Sequence, residues 1–241
     1  RPPRSTLFPY TTLFRSPMGR QHENDREATA ADLKWLADPA EEPEPFGDGG
    51  TKMAWNTFNV VSIYPNGNPV MSDVNQRWVG DCCACAVIAS MAYLYPRFVK
   101  HIIKDNMDKT YTVTMYDPKG KQISVGVGGD YFIGNSGDLG ALGGRNKEVT
   151  WATILEKAMI KWNQIYQGSS NVGGIGTEYV SAIFTGDGES VGFGANALIA
   201  EDLQRAVEVS LKQGRLVIGG FTRSGEQVDQ NWQTTSGHAF T

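Results

Sequence analysis

One stretch of this sequence decides the fold, and it reads Gln76-Arg77-Trp78-Val79-Gly80-Asp81-Cys82-Cys83-Ala84. Apolar residues then recur at three- and four-residue steps as far as Leu94, and Pro96 closes the run, so the spacing predicts a helix that opens near Cys82. The N–H groups and the dipole at a helix N-terminus favour an anion. A thiol placed there is shifted towards the nucleophilic thiolate. Cys82 is therefore a candidate nucleophile.

A thiolate that performs acyl transfer needs a base, and the chain has 3 histidines. His22 lies in a polar leader, and His101 follows the predicted helix, where a surface position is expected. His238 stands between small and strand-forming residues, 156 positions after Cys82 (238 minus 82). A cysteine followed far downstream by a histidine is the order found in papain-like proteases.

Acyl transfer also needs a fixed donor for the developing oxyanion. Gln76 is the candidate amide on the N-terminal side of Cys82, with Asn75 as the alternative.

Three motifs in this chain resemble those of the calpain family of cysteine proteases. The stretch from Gln76 to Cys82 is similar to Gln-Gly-x-Leu-Gly-Asp-Cys-Trp, and residues 151–158 are similar to Trp-x-x-Leu-Leu-Glu-Lys-Ala. Residues 237–240 resemble the family's Gly-His-Ala-Tyr, and a weaker likeness covers residues 176–186. The motifs occur in the family's order, and the resemblance runs from about Asp73 to Thr241.

The resemblance implies the roles of the site residues. Cys82 would be the nucleophile, His238 the general base and acid, and Gln76 the oxyanion donor, acting on a protein or peptide substrate. The implied fold is α+β, a papain-like two-lobe protease: a helical lobe over residues 53–188 and the start of an antiparallel β lobe over residues 189–241. Residues 1–52 are expected to be leader and linker.

Two departures from the family pattern stand out. Cys83 replaces the Trp that follows the nucleophile in most of the family, and the Asn that orients the histidine would have to come after His238, where only three residues remain. We therefore expect these 241 residues to be a truncated catalytic region with weak or no activity. The alternatives are a non-catalytic calpain-like binding module and another Cys–His acyl transferase, such as a transglutaminase-like enzyme.

The same residues bear on metal binding. The spacing of Cys82, Cys83 and Cys85 suits structural zinc poorly. Calcium as an activator is implied by the best-known members of the family, but no EF-hand loop is present. Acidic loops near Asp130, Asp138 or Asp187 would have to supply any such site.

Composition narrows the class of protein. A net charge of −4 provides no basic footprint, so no nucleic-acid partner is expected. No apolar run approaches the roughly 18 residues of a membrane span. Three cysteines within four positions exclude a disulfide framework. No signal peptide is readable, which favours the cytoplasm without fixing the location.

The remaining elements follow from local patterns. Residues 1–16 repeat Thr-Leu-Phe and resemble translated adapter sequence, and Pro, Glu and Gly in residues 39–50 predict a solvated linker. The expected strands and helices are a strand within Asn56–Tyr64, a hairpin of Tyr111–Tyr116 with Gln122–Val127, helices over Trp151–Tyr166 and Glu201–Gln213, and a buried strand at Leu216–Ile218. Glu156 and Lys157 are interpreted as a solvated face or a pair bridging the lobes.

Overall fold

The computed structural model of the protein describes residues 26–46, 53–134, 137–186, 199–221, 227–229, 232–233 and 238–240. The predicted leader and part of the predicted linker lie outside these residues. Within them the helices are α1 (Ala30–Ala37), α2 (Cys82–Leu94), α3 (Pro96–Ile102), α4 (Trp151–Gln167), α5 (Thr177–Thr185) and α6 (Ala200–Lys212). A 3₁₀ turn covers Met71–Asp73.

The strands are short and pair antiparallel. In chain order they are β1 (Ala54–Thr57), β2 (Ile103–Asp105), β3 (Tyr111–Tyr116), β4 (Gln122–Val127), β5 (Asp130–Ile133), β6 (Gly219–Phe221), β7 (Gln227–Asp229), β8 (Trp232–Gln233) and β9 (His238–Phe240). The sheets follow the orders β2-β3-β4, β1-β5, β6-β9 and β7-β8. Helices and antiparallel strands without regular alternation make this an α+β fold, as predicted.

Helix α4 runs through the core. Thr150 caps its start by accepting the Ala152 N–H, and Gly168 ends it in the left-handed conformation at φ 72°. The predicted apolar face is buried, and so is most of the rest of the helix. The indole N–H groups of Trp151 and Trp162 donate to Asp73 Oδ2 and to the Tyr116 carbonyl, each at 2.7 Å. A helix buried on all sides is one around which the domain packs.

Residues 26–46, called here the N-terminal segment, pack onto α4 and β4. Helix α1 begins with a capping box between Thr29 and Asp32, and Leu36 is fully buried. Lys161 Nζ on α4 donates to the Asp38 carbonyl at 2.8 Å, and Lys157 Nζ meets the Glu42 carboxylate at 2.6 Å. Residues 39–46 of the expected linker are partly exposed, and one of them, Glu42, binds a buried cation of α4.

Several expected elements are confirmed. The hairpin pairs Tyr111 with Val127 through to Tyr116 with Gln122, and the helices predicted near residues 82, 151 and 201 appear as α2, α4 and α6. Gly214 follows α6 at φ 71°, the left-handed conformation that suits glycine just past a helix end. Local periodicity was sufficient to find these elements.

Two predicted strands differ from the structure. The first lies earlier in the chain, at Ala54–Thr57 instead of within Asn56–Tyr64, because it pairs with β5 from Ile133, opposite Ala54, to Asp130, opposite Thr57. Residues 216–218 are half-buried and precede the strand, which starts at Gly219 opposite Phe240. In both cases the partner strand fixes the boundary, and the partner is distant in the sequence.

Candidate active site

The candidate nucleophile lies where the sequence predicts it, at the first residue of α2. Cys82 is 8% exposed. Most of the other residues of α2 are also buried, and they are mainly alanines and larger apolar residues. Asp81 is the N-cap residue but makes no side-chain cap hydrogen bond. None of the three cysteines forms a disulfide. The candidate nucleophile is therefore a thiol held at the start of a buried helix.

Strand β9 brings the C-terminal motif to that thiol. The backbone N–H of Ala239 donates to Cys82 Sγ at an N–S distance of 3.3 Å. His238 is the first residue of β9 and pairs with Phe221 of β6. The structure describes the backbone of His238 and not its side chain. The residue after His238 therefore contacts Cys82, although Cys82 and His238 are 156 positions apart in the sequence.

Gln76 lies before the helix in an extended segment that residues 140–143 hold in place. The Trp78 N–H donates to the Gly140 carbonyl, and Asn75 and Gly143 exchange backbone hydrogen bonds. The half-buried Gln76 side chain donates from Nε2 to the Val79 carbonyl at 2.9 Å, which fixes the amide beside the turn that leads to Cys82. An amide carries two N–H groups, so this bond uses one of them.

The alternative amide, Asn75, is used elsewhere. Its Nδ2 donates to the Ser72 carbonyl at 2.8 Å and to the Gly143 carbonyl at 3.2 Å. Both bonds hold the loop that precedes the catalytic turn. The geometry therefore favours Gln76 over Asn75 as the amide donor of the site.

A carboxyl pair lies beneath the turn, and sequence reasoning missed it. Asp81 and Glu156 are each 1% exposed and interact through their side chains. Asp81 Oδ1 accepts from the Cys85 thiol at 3.5 Å, and Glu156 Oε2 accepts the Leu142 N–H at 2.9 Å. The interpretation of Glu156 and Lys157 as a solvated face is wrong, because both side chains are buried on α4.

Burial governs the protonation of this cluster. It raises the pKa of Glu156 well above its usual range, and the adjacent Asp81 carboxylate raises it further. Burial also raises the pKa of Cys85, with Asp81 and Glu156 adding to the effect. Cys85 therefore stays a thiol near neutral pH and is a poor nucleophile. It can donate to Asp81 but does not compete with Cys82.

Glycines pack around the segment that leads to Cys82. Gly80 is exposed, and its carbonyl accepts the Gly174 N–H at 3.2 Å. Trp78 is 48% exposed and lies over Gly134 and Gly140, where an added Cβ would meet the indole at 2.4 Å and 3.3 Å. Gly134 and Gly140 are buried, and their lack of side chains lets the Trp78 indole pack directly on their backbone.

The acidic positions considered for calcium have other partners or lie outside the described residues. Asp130 Oδ1 accepts the Thr57 hydroxyl at 2.6 Å, and Asp138 forms an ion pair with Lys147 at 2.5 Å. Asp187 is not among the described residues. In the described part of the chain no three His, Cys, Asp or Glu side chains cluster as metal ligands would.

No single described helix is both long and apolar enough to cross a membrane. Helices α2 and α3 meet the criteria of length and composition only when taken together, and they join at a bend of 113°.

Comparison with known proteins agrees with the motifs. The family model described as calpain family cysteine protease matches residues 54–241, which is 188 of the 241 positions (241 minus 54, plus 1). A search of curated proteins found no match. The matched region begins at β1 and contains Gln76, Cys82, Glu156 and His238. It leaves out the N-terminal segment that packs on α4.

Proposed function

Because the chain belongs to the calpain family of cysteine proteases, we propose that it is a thiol endopeptidase whose catalytic residues are Cys82, His238 and Gln76. One observation carries the proposal most directly: the strand that contains His238 contacts the Cys82 sulfur through the Ala239 N–H. A papain-like arrangement in two lobes would explain it, with the substrate cleft between α2 and the β6–β9 sheet.

The reaction would be acyl transfer through a thioester. The Cys82 thiolate attacks the carbonyl carbon of the scissile peptide, and the C–N bond breaks as His238 gives its proton to the leaving amine. Water, deprotonated by His238, then attacks the thioester and releases the acid together with the thiol. Both steps pass through a tetrahedral oxyanion, which the second N–H of the Gln76 amide and the Cys82 backbone N–H would stabilise.

The described contacts support specific parts of this mechanism. The bond from Gln76 to Val79 fixes the amide beside the nucleophile. The N–H of Ala239 donates to the sulfur, which stabilises negative charge on it. The exposed backbone at Gly80 and Gly174 suits an extended peptide, whose main chain seeks hydrogen bonds. Calcium activation rests on family resemblance alone and enters the test as a variable.

An epoxide inhibitor of papain-like enzymes tests the proposal, with and without calcium. We expect modification of Cys82, found by peptide mass mapping, together with slow cleavage of a denatured protein substrate. The Cys82→Ala variant should lose both, while Cys83→Ala, at the adjacent thiol, should be labelled as the wild type is. A folded protein that the epoxide does not label at Cys82 would indicate a calpain-like binding module instead.

A further inference from the structure

Asp81 and Glu156 join the two central helices directly beneath the nucleophile. Asp81 immediately precedes α2, and Glu156 lies in the second turn of α4. One oxygen of each carboxyl has a donor: Cys85 for Asp81 Oδ1 and the Leu142 N–H for Glu156 Oε2. The other two, Asp81 Oδ2 and Glu156 Oε1, are buried with no hydrogen-bond partner among the described residues. Both orphan oxygens belong to side chains that contact each other.

One proton between the two orphan oxygens satisfies both of them. Two adjacent carboxyls at 1% exposure cannot both be ionised without a large electrostatic cost. The donors around Asp81 decide where the proton is held, because the Cys85 thiol and the Gln76 amide both lower the pKa of Asp81, which burial raises to about 6. Glu156 therefore carries the proton as a carboxylic acid, and Asp81 accepts it.

The pair also explains why the Asp81 side chain does not cap α2. An Asp at the N-cap position ordinarily accepts a backbone N–H of the first turn. Asp81 makes no such bond, because its carboxyl faces Cys85 and Glu156 instead. A capping carboxylate would place a negative charge beside Cys82 and oppose the thiolate.

We propose that Glu156 is a positioning residue: by donating its acid proton to Asp81 Oδ2, it keeps the Asp81 carboxylate away from the N-terminus of α2. The catalytic consequence rests on the proposed protease function, whereas the shared proton does not. The titratable groups that face the pair are Cys85 and, beside it, Cys82.

Two substitutions distinguish the effect of the titratable proton of Glu156 from the effect of its hydrogen bonds. Glu156→Gln keeps both contacts, since its amide N–H can donate to Asp81 and its amide oxygen can accept from Leu142. Glu156→Ala removes both and leaves Asp81 Oδ2 without a donor. Glu41→Gln, at an exposed carboxylate, is the matched control for loss of one charge.

The first measurement is the thermal unfolding midpoint as a function of pH. Folded Glu156 keeps its proton to a higher pH than unfolded Glu156, so wild-type stability falls as pH rises from the ordinary Glu value towards the raised one. Glu156→Gln has no proton to lose there, so its midpoint should gain on the wild type as pH rises. Equal pH slopes for wild type, Glu156→Gln and Glu41→Gln would overturn the shared proton.

The second measurement is the pH profile of Cys82 alkylation by iodoacetamide, followed by mass spectrometry, with peptide-cleavage kinetics beside it. In Glu156→Ala the alkylation midpoint should move up by about one pH unit, and kcat should fall about 100-fold with little change in KM. Glu156→Gln should restore both values to near those of the wild type. A Glu156→Ala protein with wild-type alkylation would overturn the positioning role.

These readings distinguish the two proposals. If the wild type shows the pH-dependent difference in unfolding but neither cleaves peptide nor reacts with the epoxide, the shared proton stands and the protease assignment fails. If Glu156→Ala does not fold, Glu156→Gln and the wild type still decide the shared proton, and Asp81→Asn supplies the alkylation test. An alkylation profile for Asp81→Asn close to that of the wild type supports the argument, since the Asp81 charge is already held away from Cys82, and a profile shifted to lower pH contradicts it.

Discussion

Glu156 and Lys157 are neighbours on α4, and both are buried, yet the two sides of the helix accommodate them differently. On the site side, Glu156 faces a second acid, Asp81, and loses its own charge by protonation. On the segment side, Lys157 faces the Glu42 carboxylate and the Gly128 and Asp130 carbonyls, with its cation over the Trp55 ring at 4.7 Å. Burial lowers the pKa of Lys157, and the attraction of Glu42 opposes that shift.

The difference separates two tasks of one helix. A shared proton leaves one negative charge in place of two beside the candidate nucleophile. An ion pair with carbonyl ligands attaches a distant segment, where chemistry is not at stake. The site side should therefore be sensitive in activity, and the segment side in stability.

The largest effect is expected at Gln76 on the site side. Gln76→Ala removes the fixed amide, and kcat should fall by about 100-fold to 1,000-fold with the unfolding midpoint nearly unchanged. Asn75→Ala is the matched control, because its amide holds the loop and its loss should lower stability more than kcat. Peptide-cleavage kinetics and thermal unfolding of both variants check this. An unchanged kcat in Gln76→Ala would remove it from the site.

The next effect is expected at Lys157 on the segment side. Lys157→Met leaves the Glu42 carboxylate and two carbonyls without their cation, so the free energy of unfolding should fall by about 3 kcal/mol. Denaturant titration measures this free energy. The kcat of the folded variant, measured without denaturant, should remain near that of the wild type. A strong loss of kcat in protein that is still folded would show that the two sides of α4 are coupled.

A smaller effect tests how closely the N-terminal segment approaches the sheet. A Cβ at Gly126 would lie 2.4 Å from the Ala37 carbonyl oxygen and 2.6 Å from the Pro39 nitrogen. Gly126→Ala should therefore cost about 2 kcal/mol of stability, because backbone must move. Gly129→Ala, whose nearest neighbour would be Lys109 O at 3.6 Å, is the control and should be tolerated. Equal stabilities of the two variants would mean that the segment is not held there.

The smallest effect is a pH dependence at Lys161. Burial lowers the pKa of Lys161 to about 8, from 10.5. Between those values the unfolded chain binds more protons than the folded one, so this group makes stability rise with pH. Lys161→Met should lack that rise when unfolding midpoints are compared across the range. Parallel profiles for the variant and the wild type would contradict the lowered pKa.

The sequence predicted the elements whose signals are local. The apolar spacing after Cys82 and after Trp151 and the turn at 117–120 sufficed for α2, α4 and the hairpin. The family resemblance placed Cys82 and His238 in one site, and the strand that contains His238 contacts Cys82. The burial of Glu156 and Lys157 could not be predicted, because a Glu-Lys pair on a helix is typical of a solvated surface. The partner of Glu156, Asp81, is 75 positions away (156 minus 81), and the partner of Lys157, Glu42, is 115 positions away (157 minus 42).

The attachment of the N-terminal segment has a thermodynamic consequence. Residues 26–46 precede the region matched by the family model, yet they supply the anion and a carbonyl for two buried lysines of α4. They act as a tethered ligand of the catalytic region, with an effective concentration set by the chain that joins them to β1. A chain beginning at β1 would therefore be stabilised by added peptide 26–46, and its unfolding midpoint would depend on the concentration of that peptide.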